Sequence, residues 1–346
     1  MEGLWFGIAA VMLSVYVVMD GFDFGAGILH LFVARTDAER RQVLSAIGPF
    51  WDGNEVWLLA SGGVLFLAFP KVLAAGLSGF YLAVMLLIWV LILRGAAIEL
   101  RSHLGDGMWR AFFDAVFAGA SALAPVLLGA ALGNILRGVD FDADGWFSLA
   151  LFDSFSPTGA LGLLDAYTVL VGLVAFVALT HHGALFLVWK TDGDVQARSL
   201  RWAAGAFPVL VVLWVAATWA TQRVSPGLFE GWAARPLAWA ASLAFVVGLA
   251  VSWRARRAGQ HGRALVGSGV FLLGGLAATA ASVFPVMIAD RDDPAASLTA
   301  LNAASSPHSL SVALWWWPVG AVLAVAYTLL VFRLHTGKVT AGESAH

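Results

Sequence analysis

Apolar runs long enough to cross a hydrocarbon core of about 30 Å fall near residues 3–33, 51–69, 72–93, 112–136, 159–189, 202–220, 236–253, 264–289 and 310–332. This pattern predicts an all-α polytopic membrane protein of about nine transmembrane helices. Pro70 and Lys71 separate the second run from the third so closely that the two are expected to form a helical hairpin, because proline cannot continue a helix interior and restricts the residue before it. Met1-Glu2-Gly3 lacks the basic segment of a cleavable signal, so the first run is expected to remain as a helix.

Composition points the same way. Of 346 residues, 60% are apolar and 12% charged, and the mean hydropathy is +0.83, far from an ordinary soluble domain. The chain has no cysteine, which excludes disulfides, iron–sulfur clusters, thiolate haem ligands and Cys-based zinc sites. Any metal would rest on His, Met or carboxylates. A formal charge of −2 gives no sign of a nucleic-acid partner.

The basic residues orient the predicted spans. Arg35, Arg40, Arg41, Arg94, Arg101, Arg110, Lys190, Arg198, Arg201, Arg254, Arg256, Arg257, Arg263, Arg333 and Lys338 fall on one side, 15 of the 20 Lys and Arg. The richer side is the cytoplasmic one by the positive-inside rule, which puts the N-terminus outside and the C-terminus inside. An internal echo fits this layout. The exit of the first helix, Arg35-Thr36-Asp37, resembles the exit of the fifth, Lys190-Thr191-Asp192, four helices later. Two parallel four-helix units, 1–137 and 159–290, are therefore expected, joined by an acidic outer loop at 138–158 and followed by an outer loop, a peripheral ninth helix and a cytoplasmic tail over 291–346.

Two acidic stretches interrupt the apolar runs: Asp20-Gly-Phe-Asp23-Phe-Gly25, and Trp51-Asp52-Gly-Asn-Glu55-Val-Trp57. An ionisable side chain in hydrocarbon costs a few kcal/mol or more and is tolerated mainly where it faces protein, a partner charge or a water path. Burial disfavours the charged form of a carboxylate, so such groups suit the uptake and release of protons. Each pair of acids is three residues apart and shares a helix face. Asp20 lies about 22 Å of helix from Arg35, whereas Asp52 opens the second helix at the inner surface, so the two could mark the deep end and the mouth of an inward proton path. Alternatively, Asp52 and Glu55 cap a helix N-terminus. Gly21, Gly25 and Gly27 in the first helix, and Gly53, Gly62 and Gly63 in the second, permit close helix approach. Arg94 is expected to end the third helix, where it snorkels to the surface or pairs with one of the acids. Asn134 could hydrogen-bond across helices.

Three histidines, His30, His181 and His182, lie in predicted spans. Packed or proton-relay roles are favoured over haem ligation, since His181 and His182 point about 100° apart and no second ligand stands at a defined spacing. Asp140-Phe-Asp142-Ala-Asp144 matches half of a calcium loop, but the closing glutamate position is Leu151, and a solvated polar loop is expected. The tryptophans, Trp315-Trp316-Trp317 among them, read mainly as interface anchors.

Several motifs together carry a family resemblance: Asp20-Gly-Phe-Asp-Phe-Gly-Ala-Gly27, Gly48-Pro-Phe-Trp-Asp-Gly-Asn-Glu-Val-Trp-Leu58, Phe69-Pro-Lys-Val72, Ser78-Gly-Phe-Tyr81, Arg94 with Glu99 and Arg101, and Ala303-Ala-Ser-Ser306. In order and spacing the chain resembles subunit II of the cytochrome bd quinol oxidases, from the first helix to the last. The resemblance implies a subunit of the bacterial plasma membrane that pairs with subunit I, possibly with small single-helix accessory subunits, among membrane lipid. Subunit I carries two b-type haems and haem d and oxidises quinol at the outer face. No cofactor or metal is expected in this chain. Subunit II is associated with proton supply to the oxygen-reduction site, and the matching path residues are Trp57, Asp52 and Asp20, with Asp23, Glu55 and Arg94 as further path or supporting charges. Glu55 departs from the pattern, standing where several relatives carry a neutral or basic residue. The rival readings are a proton-coupled secondary transporter, which would act alone, and a purely structural subunit whose acids hold helices together.

Overall fold

In a computed structural model, which describes residues 1–340, the chain runs through α1 (Glu2–Val33), α2 (Asp37–Ile47), α3 (Trp51–Ala68), α4 (Pro70–Gly79), α5 (Tyr81–Leu100), α6 (Gly107–Arg137), β1 (Ala150–Phe152), β2 (Gly162–Leu164), α7 (Ala166–Lys190), α8 (Gly193–Val224), α9 (Gly227–Ala234), α10 (Pro236–Arg257), α11 (His261–Val283), β3 (Val286–Ile288), β4 (Leu298–Thr299) and α12 (Pro307–Leu334). Among the described residues, eight helices are each long and apolar enough to cross a membrane: α1, α5, α6, α7, α8, α10, α11 and α12. Together α3 and α4 make a ninth, broken span. The expected all-helical membrane architecture is therefore present, with three differences in detail.

The first concerns Pro70. The chain bends by 120° between α3 and α4, but Pro70 then opens a ten-residue helix instead of the third span. The fixed φ of proline suits a first helical turn, where its missing N–H is not needed. The reversal is completed at Phe80, so the third crossing runs over Tyr81–Leu100 and not 72–93. Arg94 consequently lies inside a helix and does not end one. The other two differences shorten apolar runs next to short strands. Residues 162–164 form β2, parallel to β1, and α7 begins only at Ala166, where Asp165 caps it by accepting from the backbone of Tyr167 and Thr168. The helix before Pro285 stops at Val283, because the residue preceding proline is pushed to extended geometry, and β3 then pairs antiparallel with β4.

The core gathers around α1, which packs against α3, α6, α7 and α11. Its closest approach is to α7, where Gly25 and Gly183 meet backbone to backbone. A Cβ at Gly25 would lie 2.6 Å from Gly183 Cα, and one at Gly183 would lie 2.6 Å from the Ala26 nitrogen. By contrast, Gly62 and Gly63 face open space within this chain. At the C-terminal end of α6, Arg137 pairs with Asp165 and donates to Asn134 Oδ1 at 2.6 Å, while the Asn134 amide donates to the Leu163 carbonyl at 2.8 Å, which secures β2 to the helices. The expected polar loop at 138–158 is ordered by its own carboxylates. Asp142 accepts from the Asp144 and Trp146 amides, and Asp140 pairs with Arg291 at 3.2 Å.

Helix α12 lies on the outside of the bundle and is fastened mainly at its ends. At its start, the Trp5 indole donates to the Leu310 carbonyl at 3.3 Å and the Ser305 amide donates to Ala68 at 2.8 Å. At its other end, the tail folds back so that Lys190 donates to the carbonyls of His335 and Gly337, and Gln42 donates to Val339 at 2.7 Å.

Candidate functional site

Four of the sequence-predicted residues come together where Arg94 of α5 reaches the contact between α1 and α3. Asp20 and Asp23, three residues apart on α1, are 0% and 1% exposed. Arg94, reaching across from α5, is 0% exposed and grips Asp20 with both terminal nitrogens, Nη1 to Oδ1 at 2.7 Å and Nη2 to Oδ2 at 3.1 Å. This two-bond geometry suits the planar guanidinium and orients both groups. The same Nη2 also donates to Glu55 on α3, whose side chain is 27% exposed. Phe24 lies under the guanidinium, with its ring centroid 4.2 Å from Arg94 Cζ.

Asp23 is held differently. Its Oδ2 accepts from the Asn54 amide at 2.7 Å, and Asn54 also donates to the Met19 carbonyl at 3.1 Å. Among the described residues, Asp23 Oδ1 has no hydrogen-bond partner, nor does the buried Tyr16 hydroxyl two turns earlier on α1. The cluster thus combines three carboxyl groups with one guanidinium. Neither Asn54 nor Tyr16 was singled out from the sequence. Asn54 stood inside a quoted motif, one residue before Glu55.

Asp52 and Trp57 lie outside the cluster. Asp52 is exposed on the first turn of α3, one turn before Glu55. The expected capping role is not observed, since the cap position is Phe50 and no side chain bonds to the free N–H groups there. Trp57 is half-buried in a groove of about 610 Å³ between α3 and α12, with Met12, Val56, Trp317 and Tyr327 also in its walls.

A second ionic cluster, at the C-terminal ends of α1 and α5 and the starts of α2 and α6, was not anticipated. Asp114, 1% exposed, accepts from His30 Nε2 at 2.6 Å, Arg101 Nε at 2.5 Å and Arg40 Nη1 at 2.8 Å. Arg101 also donates to Asp37 at 2.8 Å, which Arg110 and Arg41 join. Partial burial alone would raise the Asp37 carboxyl, but the Arg101 hydrogen bond and the charges of Arg101, Arg41 and Arg110 outweigh it and hold the group below the usual aspartate range. Glu39 behaves alike. Burial opposes its charged form, yet bonds from the backbone of Arg35 and Thr36 and from Arg198 lower it. The available sequence signal was that Asp114 is the lone acid of its apolar run.

The other histidines are packed. His181 Nδ1–H donates to the Ala203 carbonyl at 3.0 Å, and its Nε2 faces the Ser252 hydroxyl at 3.2 Å. His182 Nε2–H donates to the Val18 carbonyl at 3.0 Å, and its Nδ1 faces Ser268 at 2.6 Å. With both ring nitrogens engaged, neither residue offers a lone pair to an iron, and these side chains do not fit a haem. Among the described residues, no group of three or more His, Asp or Glu gathers as a metal site.

Comparison with known proteins agrees with this architecture. The profile of the family described as "Cytochrome bd terminal oxidase subunit II" matches residues 1–335. Subunit 2 of the cytochrome bd-I ubiquinol oxidase of Escherichia coli K12 is 30% identical, over 97% of this chain and 94% of that one. Subunit 2 of the cytochrome bd ubiquinol oxidase of Bacillus subtilis 168 is 32% identical, over 90% of this chain and 89% of that one. In fold, the chain is similar to a chain of the bd oxidase of Geobacillus thermodenitrificans, with a TM-score of 0.75 over 96% of this chain and 98% of that one, at 15% identity. With a family profile spanning nearly its whole length and two relatives of matching extent, the chain belongs to the cytochrome bd terminal oxidase subunit II family.

Proposed function

We propose that this subunit conducts protons from the cytoplasm towards the oxygen-reduction site of a haem-bearing subunit I, with which it forms a heterodimer in the bacterial plasma membrane. The observation that carries this reading is the group of three carboxyls around a single guanidinium, at the meeting point of three helices in an apolar bundle. Bound in the partner, haem b and haem d supply the electron transfer from quinol to oxygen. This chain supplies no electrons. Its carboxyls take up and pass on protons, so charge separates across the membrane without a pump. Asp52, exposed at the inner end of α3, receives protons, Trp57 borders the route, and Asp20 with Asp23, Glu55 and Arg94 forms its buried end. Small accessory subunits and lipid complete the assembly.

The excess of Lys and Arg on one side supports an outer N-terminus and an inner C-terminus. The two four-helix units, 1–137 and 159–290, are supported by the matching exits of α1 and α7. The helix that follows is capped at Thr36 after α1 and one position later in the echo, at Asp192, after α7. One observation favours a structural role for part of the cluster, namely the two-bond grip of Arg94 on Asp20, which fastens α5 to α1. Replacing Asp20 by Asn in the co-expressed complex separates the two readings. Proton supply predicts reduced quinol-dependent oxygen uptake with the haem bands intact, and normal uptake would remove Asp20 from the route. A fastening role alone predicts loss of assembled complex.

A further inference from the structure

The two buried aspartates of α1 are not equivalent, and the difference bears on which of them moves a proton. Asp20 has both oxygens on the Arg94 guanidinium, at 2.7 and 3.1 Å. Asp23 has a neutral amide on one oxygen and nothing on the other, and is 1% exposed. A carboxylate gripped by two N–H groups of a cation is fixed as an anion, whereas a buried carboxyl with no cation of its own is stable chiefly in its neutral form. The local charge count agrees. With Asp20 and Glu55 ionised, Arg94 already faces two negative charges, and an ionised Asp23 would add a third within one helical turn of Asp20.

We infer that Asp23, and not Asp20, carries the transferable proton, while the Arg94–Asp20–Glu55 group is a fixed charge that sets how firmly Asp23 holds it. This rests on the proton-supply reading above. In one cycle, the Asp23 carboxyl releases its proton towards the oxygen-reduction side and is left as a carboxylate beside the Asp20 anion. Repulsion between the two then draws a replacement proton from the cytoplasmic end. One proton moves, and nothing in this chain is oxidised or reduced. The Oδ1 atom without a partner is free to take up the incoming proton, and the Asn54 amide holds Oδ2 in place throughout.

The charged and titratable groups around Asp23 are few. Asp20 and Tyr16 lie on α1 itself, Glu55 on α3 and Arg94 on α5. Helix α7 contributes His182, whose ring is bonded to Val18 and Ser268. Ser268 of α11 is engaged with His182, and Asp114 of α6 belongs to the separate cluster with His30, Arg101 and Arg40. The proton affinity of Asp23 is therefore governed by the Asp20 anion and the Arg94 cation.

The test is quinol-dependent oxygen uptake by the purified two-subunit complex, with haem content checked optically, between about pH 5.5 and 9. Asp23→Asn is expected to lower turnover by about 100-fold at every pH, the size typical of losing a positioned proton donor, and Asp23→Glu is expected to restore most of it. In Asp20→Asn an anion next to Asp23 is removed, so Asp23 gives up its proton more readily. The alkaline limb of the profile is then expected to move to lower pH by about one to two units, with turnover recovering in acid. If Asp23→Asn stays within about three-fold of the parent while Asp20→Asn falls at all pH, the route stands but the carrier is Asp20, and the inference is overturned. If both variants turn over normally, the proton-supply reading itself fails. Should Asp23→Asn not assemble, the Asp20→Asn profile decides, since acid recovery supports Asp23 as carrier and a pH-independent loss overturns it.

Discussion

Replacing Arg94 by Gln removes the only cation, among the described residues, in direct contact with the acidic cluster and tests whether the joining of α5 to α1 and α3 depends on it. Arg94 and Asp20 are both fully buried, so their pairing is not screened by solvent, and at about 4 Å with an effective dielectric of about 20 it amounts to about 4 kcal/mol. Glu55, at 27% exposure, contributes less, because water screens that arm of the contact. Removing one partner of a buried pair leaves the other charge uncompensated, which typically costs about 3–5 kcal/mol, and glutamine cannot reproduce the two-bond grip. The expected loss for Arg94→Gln is therefore about 4 kcal/mol, most of it from Asp20. The double variant with Asp20→Asn removes the stranded anion and is expected to recover about half of that loss. Detergent-titration unfolding of the assembled complex, comparing parent, both single variants and the double, gives the coupling directly. A loss for Arg94→Gln below about 1 kcal/mol, or strict additivity in the double variant, would refute the reasoning.

Three further outcomes follow from the fold. Gly183→Leu places a side chain against the backbone of α1 and is expected to abolish assembly, read as loss of complex on a sizing column, whereas the same change at Gly62, which faces open space in this chain, leaves the α1–α7 contact undisturbed. Asp37 and Glu39 have lowered folded values, so their stabilisation is complete above their unfolded values and is lost as pH falls through the folded ones. Amide protection in α2, taken relative to the intrinsic exchange rate at each pH, is therefore expected to be constant from about pH 7 to 5 and to fall only below about pH 4; loss of protection already at pH 6 would contradict the ionic contacts described. Lys190→Met removes both bonds that hold the tail carbonyls of His335 and Gly337, and faster proteolytic trimming after α12, with helix content unchanged, is the expected result.

The spans were readable because nine apolar runs of membrane length cannot be satisfied otherwise, and the buried acids stood out for the same reason, as costly groups in hydrocarbon. What hydropathy could not supply was direction. Pro70 reads equally as the end of one helix or the start of another, and only the second placement carries Arg94 into the bundle instead of leaving it at a helix end. The partners of Arg94 lie 74 and 39 residues away on other helices, and no local spacing reports them. The Asp114 cluster was hidden for the same reason, since its four members are brought together by the ends of separate elements. Residues 162–164 and 286–288 are apolar enough to extend their neighbouring helices, but the capping Asp165 and the restriction before Pro285 end those helices earlier.

The contact between Gly25 and Gly183 also limits how the acid-bearing helix can move. Two backbones this close form a fixed pivot, so α1 has little freedom to tilt or slide against α7 two residues beyond Asp23. Motion available at the cluster is then confined to side-chain torsions, and not to the slower rocking of whole helices. Changes in bilayer thickness are expected to be taken up by the periphery of the bundle, including α12, which is fastened near its ends, and to leave the acids in register. An oxidase built around such a subunit would keep the same rate of proton delivery in thin and thick membranes.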